Sequence, residues 1–394
     1  MYFIEYIIYF YLALAVLYSV ILCVAGHLYK VPAKSKNPVL KKFAVFVPGY
    51  KEDSVIFHVA QQLTKLEYPK DLFDIVVIAD SFQPETLQKL STLPIILLEP
   101  KFDKSSKAKS LNFAFNSLPE KYDNVVILDA DNVVHPDFLT QLNYYLQGEV
   151  RAIQTQRVAK NTDTSFSLLD ACSEAINNHI FRKGHNAFGL SSSLIGSGMA
   201  FHYTLLKDII SKIESVYEDR EIQFELAKRN IKILYIEGIL VYDEKIDNPA
   251  AFQNQRRRWL YAQVKSFIDY FGLGHRMLLK GNLSFYNFTV LNNLFPPRLI
   301  LLGLLFIIPV ISTGFRSNHS IYWWPLTALY VICLLISIPR KLYSKKLIIA
   351  IFSIPLAFIK MIQAFFRMKG ANKFIHTTHT KTGVDSVFQN DDSR

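Results

Sequence analysis

The chain has 394 residues, 51% of them hydrophobic, and its 44 Lys and Arg against 33 Asp and Glu give a formal net charge of +11. Length permits two or three domains, and the three cysteines can build neither a disulfide framework nor a zinc-ligand spacing. The charge excess would suit nucleic acid, but no nucleic-acid motif is present, and much of the excess flanks apolar runs, where membrane lipids with anionic headgroups are the simpler partner.

Ile7 to Leu28 carries no Asp, Glu, Lys or Arg and exceeds the about 20 residues needed to cross a bilayer core. A cleaved signal peptide is the competing reading; Glu5 in place of a basic n-region and the length of the run favour an anchor. Leu299 to Phe315 and Ile321 to Pro339 are further apolar runs, and Leu347 to Phe366 is a weaker one broken by Pro355 and Lys360. Lys30, Lys34, Lys36, Lys41 and Lys42 put the middle of the chain in the cytoplasm by the positive-inside rule. The basic residues Arg340, Lys341, Lys345 and Lys346 put the loop after the third run on the same side. If Leu347 to Phe366 crossed, the basic tail would lie outside, so this segment either rests in the interface or breaks the rule.

Between the apolar ends, strands alternate with helices. Lys42 to Val47 reads as a strand, and Ser54 fits the cap of a helix reaching about Leu66. Ile75 to Ala79 and Ile95 to Leu98 are strands, a helix runs from about Ser106 to Ser117, and Val125 to Leu128 is a fourth strand. This order implies a parallel sheet covered on both faces, with ligands bound beyond the carboxyl ends of its strands. Tyr50 and Glu52, then Asp80, then Asp129 and Asp131 follow those ends. Each alone reads as a loop carboxylate or a cap; one after nearly every strand reads as a site. Asp129 and Asp131, at i and i+2, can aim at one point, a plausible divalent-cation site.

Ala152 to Gln156 is a short strand candidate and Ser165 to Phe181 a helix. The Gly/Ser-rich stretch Gly184 to Gly198 is either a surface loop or a place where backbone approaches a sugar closely. Glu218 and Asp219 open a helix reaching Lys228, with Asn230 as its stop signal; the helix dipole by itself accounts for acids there. Ile231 to Ile236 is another strand. Asn248-Pro249 starts a further helix, on which Gln255, Arg258 and Trp259 share one face while Arg256 and Arg257 point elsewhere. A basic amphipathic helix lying on lipid is the alternative reading.

Together, Val47-Pro-Gly-Tyr-Lys-Glu52, Lys107-Ala-Lys-Ser-Leu-Asn112, Asp129-Ala-Asp131, Glu218-Asp219 and Gln255-Arg-Arg-Arg258-Trp259 stand in the order seen in family 2 glycosyltransferases. The chain most resembles their membrane-integrated branch, which includes cellulose, chitin and hyaluronan synthases. The resemblance implies an α/β GT-A fold with a mostly parallel sheet plus transmembrane and interfacial helices, a UDP-sugar donor and inversion. It implies that Asp80 contacts uracil, Lys107 the donor phosphates or uridine, and Asp129 the donor, with Tyr50 and Glu52 beside them. It further implies Mg²⁺ or Mn²⁺ on Asp131, Asp219 as catalytic base, and Gln255, Arg258 and Trp259 on the pyrophosphate and acceptor, with Ser197 and Gly198 on the acceptor side. Tyr217 stands where the family usually has Thr, and Phe374 to Lys381 only loosely resembles a gating loop.

The expected organisation is a transmembrane helix at 1–30, a cytoplasmic GT-A domain at 41–247, the QxxRW and interfacial helices at 248–298, membrane segments at 299–366 and a basic tail at 367–394. The expected protein is an integral membrane enzyme of the cytoplasmic or plasma membrane. Its leading function is processive synthesis of a β-linked polysaccharide with coupled translocation, where a homo-oligomer or other export components would make up for few spans. The alternatives are single addition to a lipid-linked acceptor and a nucleotide-sugar-binding partner without turnover.

Overall fold

The computed structural model describes residues 2–314 and 320–368; the Phe374 to Lys381 stretch lies outside them. The described residues form two compact units, one of 31–161 with 191–244 and the other of 2–30 with 162–190, 245–314 and 320–368.

The first unit is built on eight strands: β1 Phe43–Tyr50, β2 Phe73–Asp80, β3 Ile96–Leu98, β4 Asn124–Ile127, β5 Val133–Val134, β6 Ala152–Ala159, β7 Met199–His202 and β8 Ile233–Asp243. They form one sheet in the order β3-β2-β1-β4-β7-β6-β8-β5. β1 pairs in parallel with β2 and β4, β2 with β3, and β6 with β8. β7 runs antiparallel to β4 and β6, and β5 to β8. The sheet is thus mixed, mostly parallel. The reversal at β7 has a simple cause: Met199 pairs with Ile127, at the end of β4, so β7 is entered from the end where β1, β2 and β4 finish and must run back.

Side chains alternate along β1. Phe43, Val45 and Val47 pack with the helices Ile56–Leu63 and Phe138–Tyr145, and Ala44 and Phe46 with Lys107–Ser117, Tyr203–Ile210 and Glu218–Lys228. Burial on both faces is why these strands read as continuous apolar runs. Ser106 caps its helix through Lys109 N–H at 3.3 Å. The cap position of the helix Ile56–Leu63 falls on Val55, one residue beyond Ser54; the Glu52 carbonyl takes the Val55 and Ile56 N–H groups. β8 is longer than the sequence suggests. Ile236 pairs with Thr155 but Leu240 with Gln156, so Glu237, Gly238 and Ile239 bulge out, with Gly238 at φ +92°.

In the second unit, Phe3–His27 is the one described helix long and apolar enough to cross a membrane. Up to three spans result if each bent pair counts as one: Leu283–Leu294 with Arg298–Gly314 at 42°, and Lys345–Ile351 with Ile354–Phe366 at 47°. Pro355 sits in the first turn of the last helix, where its missing N–H costs nothing. Arg298–Gly314 and Ser320–Ile336 have 17 residues each, only about 25 Å of helix apiece. Residues 162–190 belong to this unit: Thr164 and Ser167 form a capping box for Ser165–Asn177, and a π-helical turn, Asn178–Gly184, follows. Asn248 caps the 31-residue helix Pro249–Leu279 through Ala251 N–H at 2.9 Å.

Candidate active site

The polar residues gather where β1, β2 and β4 end. Tyr50 pairs with Asp80 in the sheet, and the next residue of each strand, Lys51 and Ser81, has φ of +56° and +62°. These left-handed residues break the ladder and turn both chains away from the strand ends, a conformation that costs non-glycine residues energy and clusters at functional sites. Asp80 is buried; its Oδ1 accepts from Ser81 Oγ at 2.9 Å, while Oδ2 has no hydrogen-bond partner among the described residues. Glu52 is also buried.

One strand over, oxygens of Asp129, Asp131 and Asp243 lie within 4.8 Å of one another. Asp131 is held from two sides: Oδ2 accepts from Glu244 N–H at 2.9 Å and Oδ1 from Asn132 Nδ2 at 3.3 Å. Asn132 also donates to Asp243 Oδ1 at 3.3 Å, and Arg157 Nε stands 3.7 Å from Asp243 Oδ2. Three carboxylates converging on one point make an all-oxygen donor set, which fits a hard divalent cation. Asp243 is a member that sequence reasoning missed. Its one signal was an acid pair, Asp243-Glu244, following an apolar strand.

Lys107, at the start of its helix, joins this group to the next. Its Nζ forms an ion pair with Asp129 Oδ1, donates to the Gly196 carbonyl at 2.7 Å, and lies 4.0 Å from Glu218 Oε1. Burial pulls the ammonium down, but Asp129 and Glu218 outweigh it and hold Lys107 above its ordinary pKa. Glu218, buried, and Asp219, half-buried, open the helix Glu218–Lys228. Burial pushes Glu218 up to about 7, against the pull of Lys107. Burial likewise raises Asp219, although Arg220 pulls the other way and its N–H donates to Asp219 Oδ1 at 2.8 Å.

The Gly-rich loop lies beside these groups. A Cβ on Gly196 (φ +87°) would stand 3.7 Å from Asp219 Oδ2, and one on Gly198 (φ +61°) only 2.5 Å from Thr155 Oγ1. Gln154, fully buried, clamps the loop: Nε2 donates to the Ser197 and Gly198 carbonyls at 2.9 and 3.2 Å, and Oε1 accepts from Ile195 N–H at 3.1 Å. Thr155 N–H and Oγ1 both donate to the Gly198 carbonyl, and Gln223 Oε1 accepts from Leu194 N–H. Gln154, Thr155 and Gln223 were also missed; a buried amide inside an apolar strand was the available sign for Gln154. Ser197 Oγ is buried without a partner among the described residues, so the loop presents backbone rather than that hydroxyl.

Gln255, Arg258 and Trp259 lie in the second unit, on Pro249–Leu279. Trp259 is exposed. Arg256, expected to point elsewhere, stacks over the Trp259 ring at 4.2 Å and pairs with Asp170 at 2.7 Å.

A sheet of this topology with carboxylates gathered beyond its strand ends is the GT-A architecture. The chain belongs to the family described as glycosyltransferase like family 2, which it matches over residues 41–262. Among curated relatives, a beta-monoglucosyldiacylglycerol synthase of Trichormus variabilis is 24% identical over 241 residues, 58% of this chain and 50% of that protein. A probable glycosyltransferase of Bacillus subtilis is 21% identical over 272 residues, covering 64% of this chain and 62% of the relative. The chain therefore spans about half the length of the first relative. Among solved structures, a mannosyltransferase from Pyrobaculum calidifontis in complex with GDP-Man and Mn2+ aligns over 91% of this chain and 99% of its own, with a TM-score of 0.55 and 14% identity. That likeness is one of fold.

Proposed function

We propose that the protein is an inverting glycosyltransferase that moves a sugar from a UDP-sugar to a lipid-linked acceptor at the cytoplasmic face of a membrane. The observation that carries this reading is the convergence, in one compact unit, of the carboxylate trio, Lys107 and the Glu218-Asp219 pair. Asp80 Oδ2, buried and without a partner among the described residues, suits an imide N–H of the base, with Tyr50 and Glu52 beside it. Asp129, Asp131 and Asp243 would hold Mg²⁺ or Mn²⁺. The ion, when bound, offsets negative charge growing on the leaving diphosphate.

Asp219 is assigned as the general base. Its raised proton affinity suits it to take the proton of an acceptor hydroxyl as that oxygen attacks the anomeric carbon. The bond to the diphosphate breaks on the opposite side, so one displacement inverts the centre. Lys107 steadies the donor phosphates, and the backbone of the Gly196 to Gly198 loop borders the acceptor.

A lipid acceptor is favoured over a growing polysaccharide by the span count. Among the described residues, one to three candidate spans are few to surround a threading glycan, whereas an anchored catalytic unit needs only to reach a headgroup. The name of the Trichormus relative points the same way. The QxxRW motif favours the polymerising alternative. Purified full-length protein should be given radiolabelled UDP-sugars, Mn²⁺ and diacylglycerol-containing vesicles, and its products sized. One-sugar lipids support the proposal, a ladder or polymer supports processive synthesis, and no transfer from any donor sinks both.

A further inference from the structure

The second unit holds a cluster unlike the carboxylate trio. Cys23, His27 and His179 bring one sulfur and two imidazole nitrogens within 4.8 Å of one another. We propose that these three residues form a binding site for a zinc-class divalent cation, separate from the donor site and independent of the function assigned to it.

Four observations converge there. Cys23 and His27 are one helical turn apart, so they share a face at the end of the helix Tyr2–His27. A helix carboxyl end carries partial negative charge that favours a cation. His179 projects from the π-helical turn Asn178–Gly184, a distortion often found at functional sites. One ring nitrogen, Nε2, lies 2.9 Å from the Cys23 carbonyl; that bond fixes the ring's orientation, as backbone carbonyls commonly do for metal-binding imidazoles. Gly26 permits the approach, since a Cβ there would meet the His179 carbonyl oxygen at 2.7 Å and Nε2 at 2.9 Å.

The donor set selects the ion. A thiolate and two imidazoles suit a borderline-soft metal rather than Mg²⁺ or Mn²⁺, and three protein ligands leave a fourth position for water. Zinc bonds of about 2.0–2.3 Å place ligand atoms about 3.5 Å apart, so a small rotation of the exposed His27 completes the set. The sequence does not announce the site because His179 is far along the chain from the other two ligands. Cys23 Sγ also lies 3.3 Å from Ser337 Oγ and 3.5 Å from the Cys333 carbonyl, all within the same unit. The ion would tie the end of the apolar helix to the 178–184 turn.

Full-length protein in detergent, stripped with chelator and held in excess Mg²⁺ to occupy the carboxylates, should be titrated with Co²⁺. A thiolate-to-cobalt charge-transfer band and intense tetrahedral visible bands are expected, saturating at one ion per chain and displaced by Zn²⁺. Cys23→Ser should abolish the charge-transfer band, Cys333→Ser should retain it, and His27→Ala, at an exposed position that tolerates truncation, should weaken binding roughly tenfold or more. Weak octahedral bands alone in the unsubstituted protein, a charge-transfer band surviving Cys23→Ser, or its loss in Cys333→Ser would overturn the proposal.

Discussion

Two acidic pairs in the first unit are built to opposite ends. Asp129 and Asp131 finish a strand, converge with Asp243, and are met by donors: Lys107 on Asp129, Glu244 N–H and Asn132 on Asp131. Glu218, buried, and Asp219, half-buried, start a helix, and desolvation raises both above their ordinary values despite Lys107 and Arg220 nearby. Donors that hold each carboxylate in place suit oxygens that must converge on a cation. Desolvation that favours the neutral form suits an oxygen that must accept a proton near neutral pH. The same residue types thus acquire different chemistry from what surrounds them.

Four tests would break or sharpen this contrast. Asp219→Asn should cost the most, roughly 10²- to 10⁴-fold in transfer rate, with UDP binding by calorimetry nearly unchanged; undiminished transfer would remove Asp219 as the base. Asp243→Asn should act on the other pair, weakening Mn²⁺ binding in the presence of UDP, read by electron paramagnetic resonance, by on the order of tenfold. Equal Mn²⁺ affinity would take Asp243 out of the trio.

The third test is pH. Asp219 must be ionised to act, so transfer should fall as pH drops through its raised pKa. Stability runs the other way. Glu218 ionises near 4.5 when unfolded and about 7 in the fold, so the folded state keeps a proton that the unfolded chain has released. Its stabilising contribution is full below about 4.5 and lost as pH rises through about 7. Denaturation midpoints at about pH 5 and about pH 8 should therefore differ less in Glu218→Gln than in the unsubstituted protein; an unchanged difference would place the titration elsewhere. The smallest effect is Gly196→Ala. Its Cβ makes only ordinary contact with Asp219, so the change should cost about 1–2 kcal/mol of stability through the left-handed backbone, visible as a lower melting temperature.

How much of this was legible follows residue by residue. β1, β2, β3 and β4 were legible because each is an apolar run closed by a polar residue, and Asp80, Asp129 and Asp131 came with them. The cap at Asn248 and the stop at Asn230, which sits at φ +56°, were legible because local chemistry dictates both. Ser54 marked the helix start to within one residue, since the cap position falls on the apolar Val55, which carries no capping signal of its own. Gln154 and Asp243 were hidden because their partners, Ser197 and Asp129, lie far away in sequence. Residues 162–190 gave no sign of leaving the unit that precedes and follows them, since an amphipathic helix does not name the surface it will cover.

The bulge in β8 acts as slack. Glu237, Gly238 and Ile239 are inserted between two successive register pairs with β6, Gly238 N–H donates to Gln156 Oε1 at 2.9 Å, and Ile236 and Val241, on either side, still pack in the same core cluster. Side chains alternate with a period of two, so a same-face pair five apart means that the resumed pairing of Leu240 with Gln156, not the number of residues in the bulge, fixes the face on which Asp243 arrives. A change of length at the exposed Gly238 should therefore leave Asp243 among the carboxylates so long as Leu240 keeps its place opposite Gln156, and the strand pairing beyond the bulge is what decides which carboxylate joins the trio.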